Sequence, residues 1–208
     1  MRILIADDHA IVRKGLKQLL QEEIAFAHIE EADNAEDLIK KAFNGEWDVI
    51  ITDLSMPGRS GLDALTQLKQ QLPKLPVLIL SMHPEEQYAI RVIKAGASGY
   101  LSKDMAQDEL VNAVRRVTSG KKYITPSLAE KLASQFDLES TASPHESLSD
   151  REFDVFKLLA AGKSVSEIGD LFSLSSTTIS TYRARIMEKM NMKTNADLTR
   201  YCLENKLI

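Results

Sequence analysis

The feature of the sequence that most constrains its fold is a regular alternation of short apolar runs and longer amphipathic stretches within residues 1–122. The apolar runs predict five strands, namely Ile3–Ala6, His28–Ala32, Val49–Thr52, Val77–Ser81 and Gly99–Leu101. Most are almost continuously apolar, as strands covered on both faces are, although His28–Ala32 contains two glutamates. Strands that alternate with helices predict one parallel sheet with right-handed crossovers and helices on both sides.

The amphipathic stretches predict the five helices that would cover this sheet. They are Ile11–Gln21, Ala35–Phe43, Leu62–Leu72, Glu85–Ala95 and Gln107–Thr118. Local signals mark some of their ends: Asn34 is a candidate N-cap, Pro73 follows the third helix and Gly96 follows the fourth. The first half is therefore predicted to be an α/β domain with a doubly wound, five-stranded parallel sheet.

Residues 147–208 contain helix signals and no strand pattern. Four helices are predicted here, namely Asp150–Ala161, Val165–Phe172, Thr177–Met190 and Ala196–Asn205. Their candidate N-caps are Ser149, Ser164, Ser175 or Ser176, and Asn195. We therefore predict three parts: an α/β domain over 1–122, an acidic linker over 123–146 with a possible short helix at Ser127–Phe136, and an all-α domain over 147–208.

Composition excludes little about partners but more about location. The net charge is −4, and residues 147–208 hold nine basic and eight acidic residues, so charge alone does not indicate a nucleic-acid partner. The single cysteine rules out an internal disulfide. The N-terminal apolar run is too short for a signal peptide, and no run reaches membrane-spanning length. We therefore expect a cytoplasmic protein without a membrane partner.

Polar side chains follow the predicted strands at their carboxyl ends. Asp7 and Asp8 follow the first strand, Asp53 the third, Ser81 closes the fourth, and Lys103 lies just beyond the fifth. Ligands of such sheets bind at this edge, and carboxylates that converge there repel one another unless a hard cation such as Mg²⁺ offsets their charge. With a lysine and a hydroxyl added, the set suits phosphoryl transfer to a carboxylate.

The motifs Ile5-Ala6-Asp7-Asp8-His9 and Thr52-Asp53-Leu54-Ser55-Met56-Pro57-Gly58, together with Gly61, Ser81 and Lys103, resemble the receiver domain of two-component response regulators. The resemblance covers about residues 1–122 and implies a flavodoxin-like fold. It implies that Asp53 is the phosphoacceptor and that Mg²⁺ is bound by Asp7, Asp8, Asp53 and the main-chain carbonyl of Ser55. It further implies that Ser81 and Lys103 contact the phosphoryl group and that rotation of Tyr100 accompanies switching.

The third predicted helix of the tail suggests contact with DNA. Ile179, Tyr182, Ile186 and Met190 recur at helical spacing and predict a buried stripe. The remaining positions are Thr177, Ser180, Thr181, Arg183, Ala184 and Arg185, with Lys189 beyond. Small and hydroxyl side chains allow a helix to lie deep in the major groove, and arginines reach bases or phosphates. Ser175 and Ser176 would offer hydroxyls and helix N-terminal amides to a phosphate.

The segment from Leu148 to about Leu198 resembles the LuxR-type helix-turn-helix of the NarL/FixJ subfamily, in motifs such as Leu148-Ser149-Asp150-Arg151-Glu152 and Glu167-Ile168-Gly169. Two positions depart from the family pattern. Ser180 stands where the family usually has Lys or Arg, and Tyr182 where it often has His, which predicts weaker non-specific affinity and a shallower salt dependence. In the family the last helix forms the dimer contact, and the candidates here are Leu198, Tyr201 and Cys202, with simple packing as the alternative.

Together these features predict a DNA-binding response regulator and not an enzyme. A sensor histidine kinase or small phosphodonor would phosphorylate Asp53 with Mg²⁺, and a phosphorylated homodimer would bind paired half-sites on double-stranded DNA. Two alternatives stay open on the sequence. One is a phosphatase or hydrolase that turns over an aspartyl-phosphate, which the absence of an acidic residue at position 55 disfavours. The other is a phosphorylation-gated module whose tail binds a protein.

Overall fold

The computed structural model describes residues 1–137 and 143–208, which form two compact units, Met1–Ser134 and Gln135–Ile208. Within the described residues, every helix is too short or too polar to cross a bilayer. The two units differ in class, since the first contains all five described strands and the second contains only helices apart from its irregular segments.

The first unit is built around a five-stranded sheet. Its strands are β1 Arg2–Ala6, β2 His28–Ala32, β3 Val49–Asp53, β4 Val77–Ser81 and β5 Gly99–Ser102. Its helices are α1 Ala10–Glu23, α2 Ala35–Asn44, α3 Gly61–Gln71, α4 Glu85–Lys94, α5 Ala106–Thr118 and most of α6 Pro126–Asp137. All neighbouring strands are parallel, in the order β2-β1-β3-β4-β5. The predicted doubly wound parallel sheet is therefore confirmed.

Alternate residues of the central strands supply the two faces of this sheet, because successive side chains on a strand point in opposite directions. Ile3 and Ile5 of β1 pack in one apolar cluster with Leu16 and Leu20 of α1 and with residues of α5. Leu4, between them, is fully buried but lies outside that cluster. Burial on both faces explains why the strands appear in the sequence as nearly continuous apolar runs.

The segment after α5 packs against the edge of the sheet. The Tyr123 N–H donates to the Ser98 carbonyl at 2.8 Å, and Tyr123 forms an isolated parallel bridge with Gly99. Tyr123 and Leu128 are buried. The short helix predicted at Ser127–Phe136 is observed as α6, which extends one residue further at each end. Part of the predicted linker 123–146 thus belongs to the first compact unit, while its residues 138–142 lie outside the described residues.

The second unit contains four helices after a short 3₁₀ turn at 144–147: α7 Asp150–Ala160, α8 Val165–Phe172, α9 Ser176–Met190 and α10 Asn195–Glu204. The side chains of Ser149, Ser164 and Ser175 each accept a backbone N–H of the following helix, as predicted. The last predicted cap was wrong. Thr194, not Asn195, caps α10, because its hydroxyl accepts the Asp197 N–H while the Asp197 carboxylate accepts the Thr194 N–H.

Candidate functional site

Two buried carboxylates and one lysine meet at the carboxyl edge of the sheet. Asp7 follows β1 and is 1% exposed, and Asp53 ends β3 and is 4% exposed. Lys103, directly after β5, places its Nζ 2.8 Å from Asp53 Oδ2 and 2.7 Å from Asp7 Oδ2. Three residues from three strands are thus brought together, because parallel strands end at the same edge.

Burial and charge oppose each other at this cluster. Burial raises the pKa of the Asp53 carboxyl above its ordinary value, and the hydrogen bond and charge of Lys103 offset only part of that rise. Burial lowers the pKa of the Lys103 ammonium, but the hydrogen bonds and charges of Asp53 and Asp7 outweigh it, so that pKa lies above its ordinary value. Lys103 is therefore a protonated cation beside a carboxylate that is costly to ionise.

The loop after β3 fixes the position of Asp53. The Gly61 N–H donates to the Leu54 carbonyl at 2.9 Å, and a Cβ on Gly61 would lie 1.9 Å from the Asp53 carbonyl oxygen. Only glycine fits this close approach of α3 to the strand end. The Ser55 N–H donates to Asp53 Oδ1 at 3.3 Å. The role predicted for Ser55 concerns its main-chain carbonyl and stays a prediction.

Asp8 and His9 extend the cluster. His9 Nδ1 lies 2.9 Å from Asp8 Oδ1 and 3.3 Å from Asp7 Oδ1. One potential ligand atom from each of Asp7, Asp8, His9 and Asp53 lies within 4.8 Å of all the others. Asp7 Oδ2 and Asp8 Oδ1 are enclosed and accept no hydrogen bond of good geometry within the described residues, although each faces a basic group. Enclosed carboxylate oxygens with spare lone pairs fit a hard dication such as Mg²⁺.

Ser81 and Tyr100 are linked through one residue that the sequence prediction left without a role. The His83 N–H donates to Ser81 Oγ at 3.0 Å, and the Tyr100 hydroxyl donates to the His83 carbonyl at 2.6 Å. The His83 ring stacks on Tyr88, and its Nε2 lies 3.2 Å from the Ser55 hydroxyl. The available signal was its position two residues after Ser81. His83 therefore connects the candidate phosphoryl contact to the buried Tyr100 ring.

The helix predicted to read DNA is α9, and its two faces differ as expected. Ile179, Ile186 and Met190 are buried, whereas Tyr182, which was predicted to be buried with them, is partly exposed. The exposed residues of the prediction are Ser175, Ser176, Thr177, Ser180, Thr181, Ala184, Arg185 and Lys189. The hydroxyls of Ser180 and Thr181 donate back to main-chain carbonyls one turn earlier. These hydroxyls keep spare acceptor capacity, while Arg185 is an exposed cation on the same helix.

Two basic residues of α9 are tied to their own unit. Arg183 Nε donates to Asn195 Oδ1 at 2.9 Å, which links α9 to the start of α10. Lys189 Nζ lies 2.6 Å from Oε2 of the buried Glu152, whose side chain also accepts the Ser149 N–H and so caps α7. The position of Lys189 therefore favours a structural role over the predicted DNA contact.

The candidates for the dimer contact on α10 need a correction. Leu198 and Cys202 are fully buried within the second unit, so neither offers surface to a second chain. Tyr201 is partly exposed, and its hydroxyl lies 2.9 Å from His145 Nδ1. The prediction did not include Leu203, which is 62% exposed. Helical spacing identified an apolar stripe on α10 but not which neighbour covers it.

Comparison with known proteins agrees with both halves of this description. The family model for the response regulator receiver domain matches residues 3–115. The family model for the bacterial regulatory proteins of the luxR family matches residues 146–202. The response regulator UvrY of Escherichia coli (strain K12) is 35% identical over 208 residues, which cover 100% of this chain and 95% of that protein. The oxygen regulatory protein NreC of Staphylococcus carnosus is also 35% identical, over a matched region that includes 100% of this chain and 99% of NreC.

Solved structures resemble the chain over nearly its whole length. RcsB of Salmonella typhimurium, described for its conformational dynamism in DNA interaction, matches with a TM-score of 0.69 and 27% identity over 99% of this chain and 98% of that one. An RcsB–DNA complex matches with a TM-score of 0.59 and 29% identity over 99% and 98% of the two chains. The chain therefore belongs to the NarL/FixJ-type response regulators, which join a receiver domain to a luxR-family regulatory domain.

Proposed function

We propose that Asp53 is the phosphoacceptor of this response regulator and that its phosphorylation controls binding of the second unit to double-stranded DNA. The observation that carries the proposal is the buried Asp53 carboxylate, 2.8 Å from the Lys103 ammonium in a crevice shared with Asp7 and Asp8. A sensor histidine kinase, or a small phosphodonor such as acetyl phosphate, supplies the phosphoryl group in the cytoplasm. The proposed domain limits are 1–122 for the receiver, 123–146 for the linker, whose first part packs with the receiver, and 147–208 for the DNA-binding domain.

The chemical step requires Asp53 as a nucleophile. One of its carboxylate oxygens attacks phosphorus and forms a P–O bond, while the bond to the donor's nitrogen or oxygen breaks and its electron pair leaves with the donor. Lys103 then pairs with a phosphoryl oxygen in place of the Asp53 carboxylate. Asp7, Asp8, Asp53 and the main-chain carbonyl of Ser55 would hold Mg²⁺, which would supply positive charge against the negative charge of the phosphoryl oxygens.

A short chain of hydrogen bonds leads from Ser81, beside the position of the phosphoryl group, to the buried Tyr100 side chain. The Ser81 hydroxyl, which accepts the His83 N–H, donates its own hydrogen to a phosphoryl oxygen once that group is present. A shift of Ser81 toward the phosphoryl group displaces His83, whose carbonyl holds the Tyr100 hydroxyl. Phosphorylation therefore biases a two-state equilibrium through a short hydrogen-bonded chain.

The phosphoacceptor assignment is tested with labelled acetyl phosphate and Mg²⁺. Wild type should acquire an acid-labile, stoichiometric label that Asp53→Ala lacks. Asp33→Ala is the matched control, because Asp33 is an exposed carboxylate just after β2 that lies outside the cluster, and it should label like wild type. An acid-stable label, or equal labelling of wild type and Asp53→Ala, would contradict the assignment.

The same reaction distinguishes a regulator from an enzyme. We propose that the protein is not a phosphatase or hydrolase, because position 55 holds Ser and no second acid carboxylate follows Asp53 at that spacing. Phosphate release should then stay close to one equivalent per chain over the lifetime of the acyl phosphate. Sustained turnover of a phosphoester at a rate far above the decay of the label would favour the enzyme.

For DNA, the proposal rests on the exposed face of α9 and on Arg185, an exposed cation of that helix for which the described residues provide no ion pair. We propose contacts from Ser175, Ser176, Thr177, Ser180, Thr181, Arg183, Ala184 and Arg185, and assign Lys189 to the fold of the unit. Two phosphorylated chains bind paired half-sites, with Tyr201 as the remaining member of the original dimer prediction. Acetyl phosphate should convert monomer to dimer in light-scattering measurements.

A salt titration of DNA binding tests this interface. Because each phosphate contact adds about one to the slope of log K against log salt, Arg185→Ala should lower that slope by about one. Lys163→Ala is the control, since Lys163 is exposed on the same unit and pairs with Glu167. A flat response of wild type would support the alternative in which the tail binds a protein.

A further inference from the structure

The first turn of α6 is capped by Thr125. Its hydroxyl accepts the Leu128 N–H at 3.2 Å, and its carbonyl accepts the Ala129 N–H at 3.0 Å, as in an N-cap. Pro126 occupies the first helical position, where a residue without an N–H leaves no donor unsatisfied. The start of α6 therefore depends on where the Thr125 side chain is held.

The same hydroxyl joins α6 to α4. It donates its hydrogen to Oε1 of Glu85, the first residue of α4, at 2.5 Å. A hydroxyl has one hydrogen to donate and lone pairs that accept, so the bond to Glu85 and the cap of α6 form together. A hydrogen bond to a carboxylate is stronger than one between neutral groups, and both side chains are partly buried. One oxygen atom thus connects the starts of two helices.

The residues just before Thr125 are held by other elements. The Tyr123 N–H donates to the Ser98 carbonyl at 2.8 Å, and the Tyr123 hydroxyl donates to Oε2 of Glu109 in α5 at 3.1 Å. These bonds fix the segment to the edge of β5 and to α5, whereas the bond from Thr125 reaches α4. A displacement of α4 would therefore act on the cap of α6 and leave the anchoring of Tyr123 in place.

The α4 end of this bond lies close in sequence to the candidate phosphoryl contact. His83, whose N–H donates to the Ser81 hydroxyl, is separated from Glu85 only by Pro84. The ring of Pro84 fixes its φ angle, which is −57°, so little rotation is available between the two residues. A movement of His83 is therefore passed on to Glu85.

We infer that the hydrogen bond between Thr125 and Glu85 holds the first turn of α6 to α4 in the unphosphorylated protein, and that phosphorylation breaks it. The inference rests on the proposed function, since Asp53 must be the phosphoacceptor and Ser81 must move toward the phosphoryl group. α6 contains the last residues of the first compact unit. Loss of the bond therefore loosens the chain connection to the second unit at its receiver end.

Amide hydrogen exchange of the full-length protein tests this, followed by mass spectrometry in the peptide 127–134 with and without acetyl phosphate and Mg²⁺. Glu85→Ala removes the acceptor of the bond but leaves the Thr125 cap, whereas Thr125→Ser keeps the hydroxyl and both bonds. Glu36→Ala is the matched control, because Glu36 is an exposed glutamate in the first turn of α2. Trp47 fluorescence checks that each variant is folded, and the acid-labile label measures its phosphorylation.

Without the phosphodonor, exchange in this peptide should be roughly tenfold faster in Glu85→Ala than in wild type, the size expected for loss of a hydrogen bond to a charged group. Glu36→Ala and Thr125→Ser should exchange like wild type. The phosphodonor should speed exchange in wild type and in both of these variants, and should leave Glu85→Ala unchanged.

Two results would overturn the inference while the proposed function stands. One is wild-type exchange in unphosphorylated Glu85→Ala, because the bond would then not hold α6. The other is a wild-type protein that acquires the label at Asp53 but whose peptide 127–134 exchanges no faster. Absence of the label from wild type would overturn the proposed function and, with it, the release of α6 by phosphorylation.

Discussion

A substitution of Lys189 can test whether this residue stabilises the second unit or contacts DNA, because its ammonium pairs with the buried carboxylate of Glu152. Glu152 Oε2 lies 2.6 Å from Lys189 Nζ and also accepts the Ser149 N–H at 2.8 Å. Lys189→Met keeps a long apolar side chain but removes the cation. Glu152 would then be a buried carboxylate whose charge is offset only by hydrogen bonds at the start of α7.

The size of the effect follows from the exposure of the two partners. Removal of one member of a fully buried pair costs about 3–5 kcal/mol, but the Lys189 side chain is 39% exposed and partly screened by water, so we expect a loss of about 1–2 kcal/mol. Burial raises the pKa of Glu152, but the bonds from Lys189 and Ser149 outweigh it, and the pKa lies below its ordinary value. Stability from this pair is therefore present above the ordinary Glu pKa and is lost as pH falls through the lowered one.

The chain has one probe of each unit. Cys202, the single cysteine, is buried in the second unit, so pulsed thiol labelling in urea reports unfolding of that unit. Trp47, the single tryptophan, lies in the first unit and reports the receiver by fluorescence. Lys189→Met should move the Cys202 transition to lower urea and leave the Trp47 transition in place. The difference from wild type should shrink at acid pH, where Glu152 is protonated.

The control is Lys163→Met, whose exposed pair with Glu167 should contribute less than about 0.5 kcal/mol. The same variants are compared in DNA binding, where Lys189→Met should leave the salt slope unchanged. A Cys202 transition in Lys189→Met at the wild-type urea concentration would refute the structural role of Lys189. A salt slope lowered by about one would restore Lys189 to the DNA interface.

Three further outcomes are expected. Gly61→Ala should lower the free energy of unfolding of the first unit by about 1–3 kcal/mol and so shift the Trp47 transition to lower urea, because the added Cβ meets the Asp53 carbonyl oxygen; an unshifted transition would show that the loop moves freely. Asp53→Asn, without Mg²⁺, should raise the melting temperature at pH 7, because burial raises the pKa of Asp53 and its charge destabilises the fold; the gain should vanish below the ordinary Asp pKa, and a variant less stable than wild type at pH 7 would contradict this. Burial raises the pKa of the Cys202 thiol to about 11, so a thiol reagent at pH 8 should react only as the second unit unfolds, and prompt reaction would return Cys202 to the surface.

The strands and helices were predictable because their signals are local. The Ser149, Ser164 and Ser175 caps were found from the hydroxyl that precedes each helix. At the last helix two polar residues compete for the same position, and the reciprocal bonds of Thr194 with Asp197 decide between them. Such contacts decide the exact boundary of each element, which the sequence predicts only to within one or two residues.

The contact partners of long polar side chains, and of apolar side chains that suit either a core or an interface, were less predictable. Lys189 shares the exposed side of α9 with Arg185, yet only Lys189 reaches a buried carboxylate 37 residues away in sequence. Leu198 and Cys202 fit an apolar stripe that would suit either a second chain or the α10 neighbours within the same unit. Spacing along one helix is the same in both cases, so it does not identify the partner.

The sequence by itself determined the order of the strands and helices along the chain and the parallel sheet. It also determined the presence of Asp7, Asp53 and Lys103 at one edge of that sheet, because parallel strands necessarily end together. Only the tertiary structure decided which atoms meet at that edge. It directs the His9 ring at Asp7 and Asp8, and it places His83 between Ser81 and Tyr100. The physical reason is that backbone periodicity fixes where a side chain begins, whereas packing of distant elements fixes what its polar end contacts.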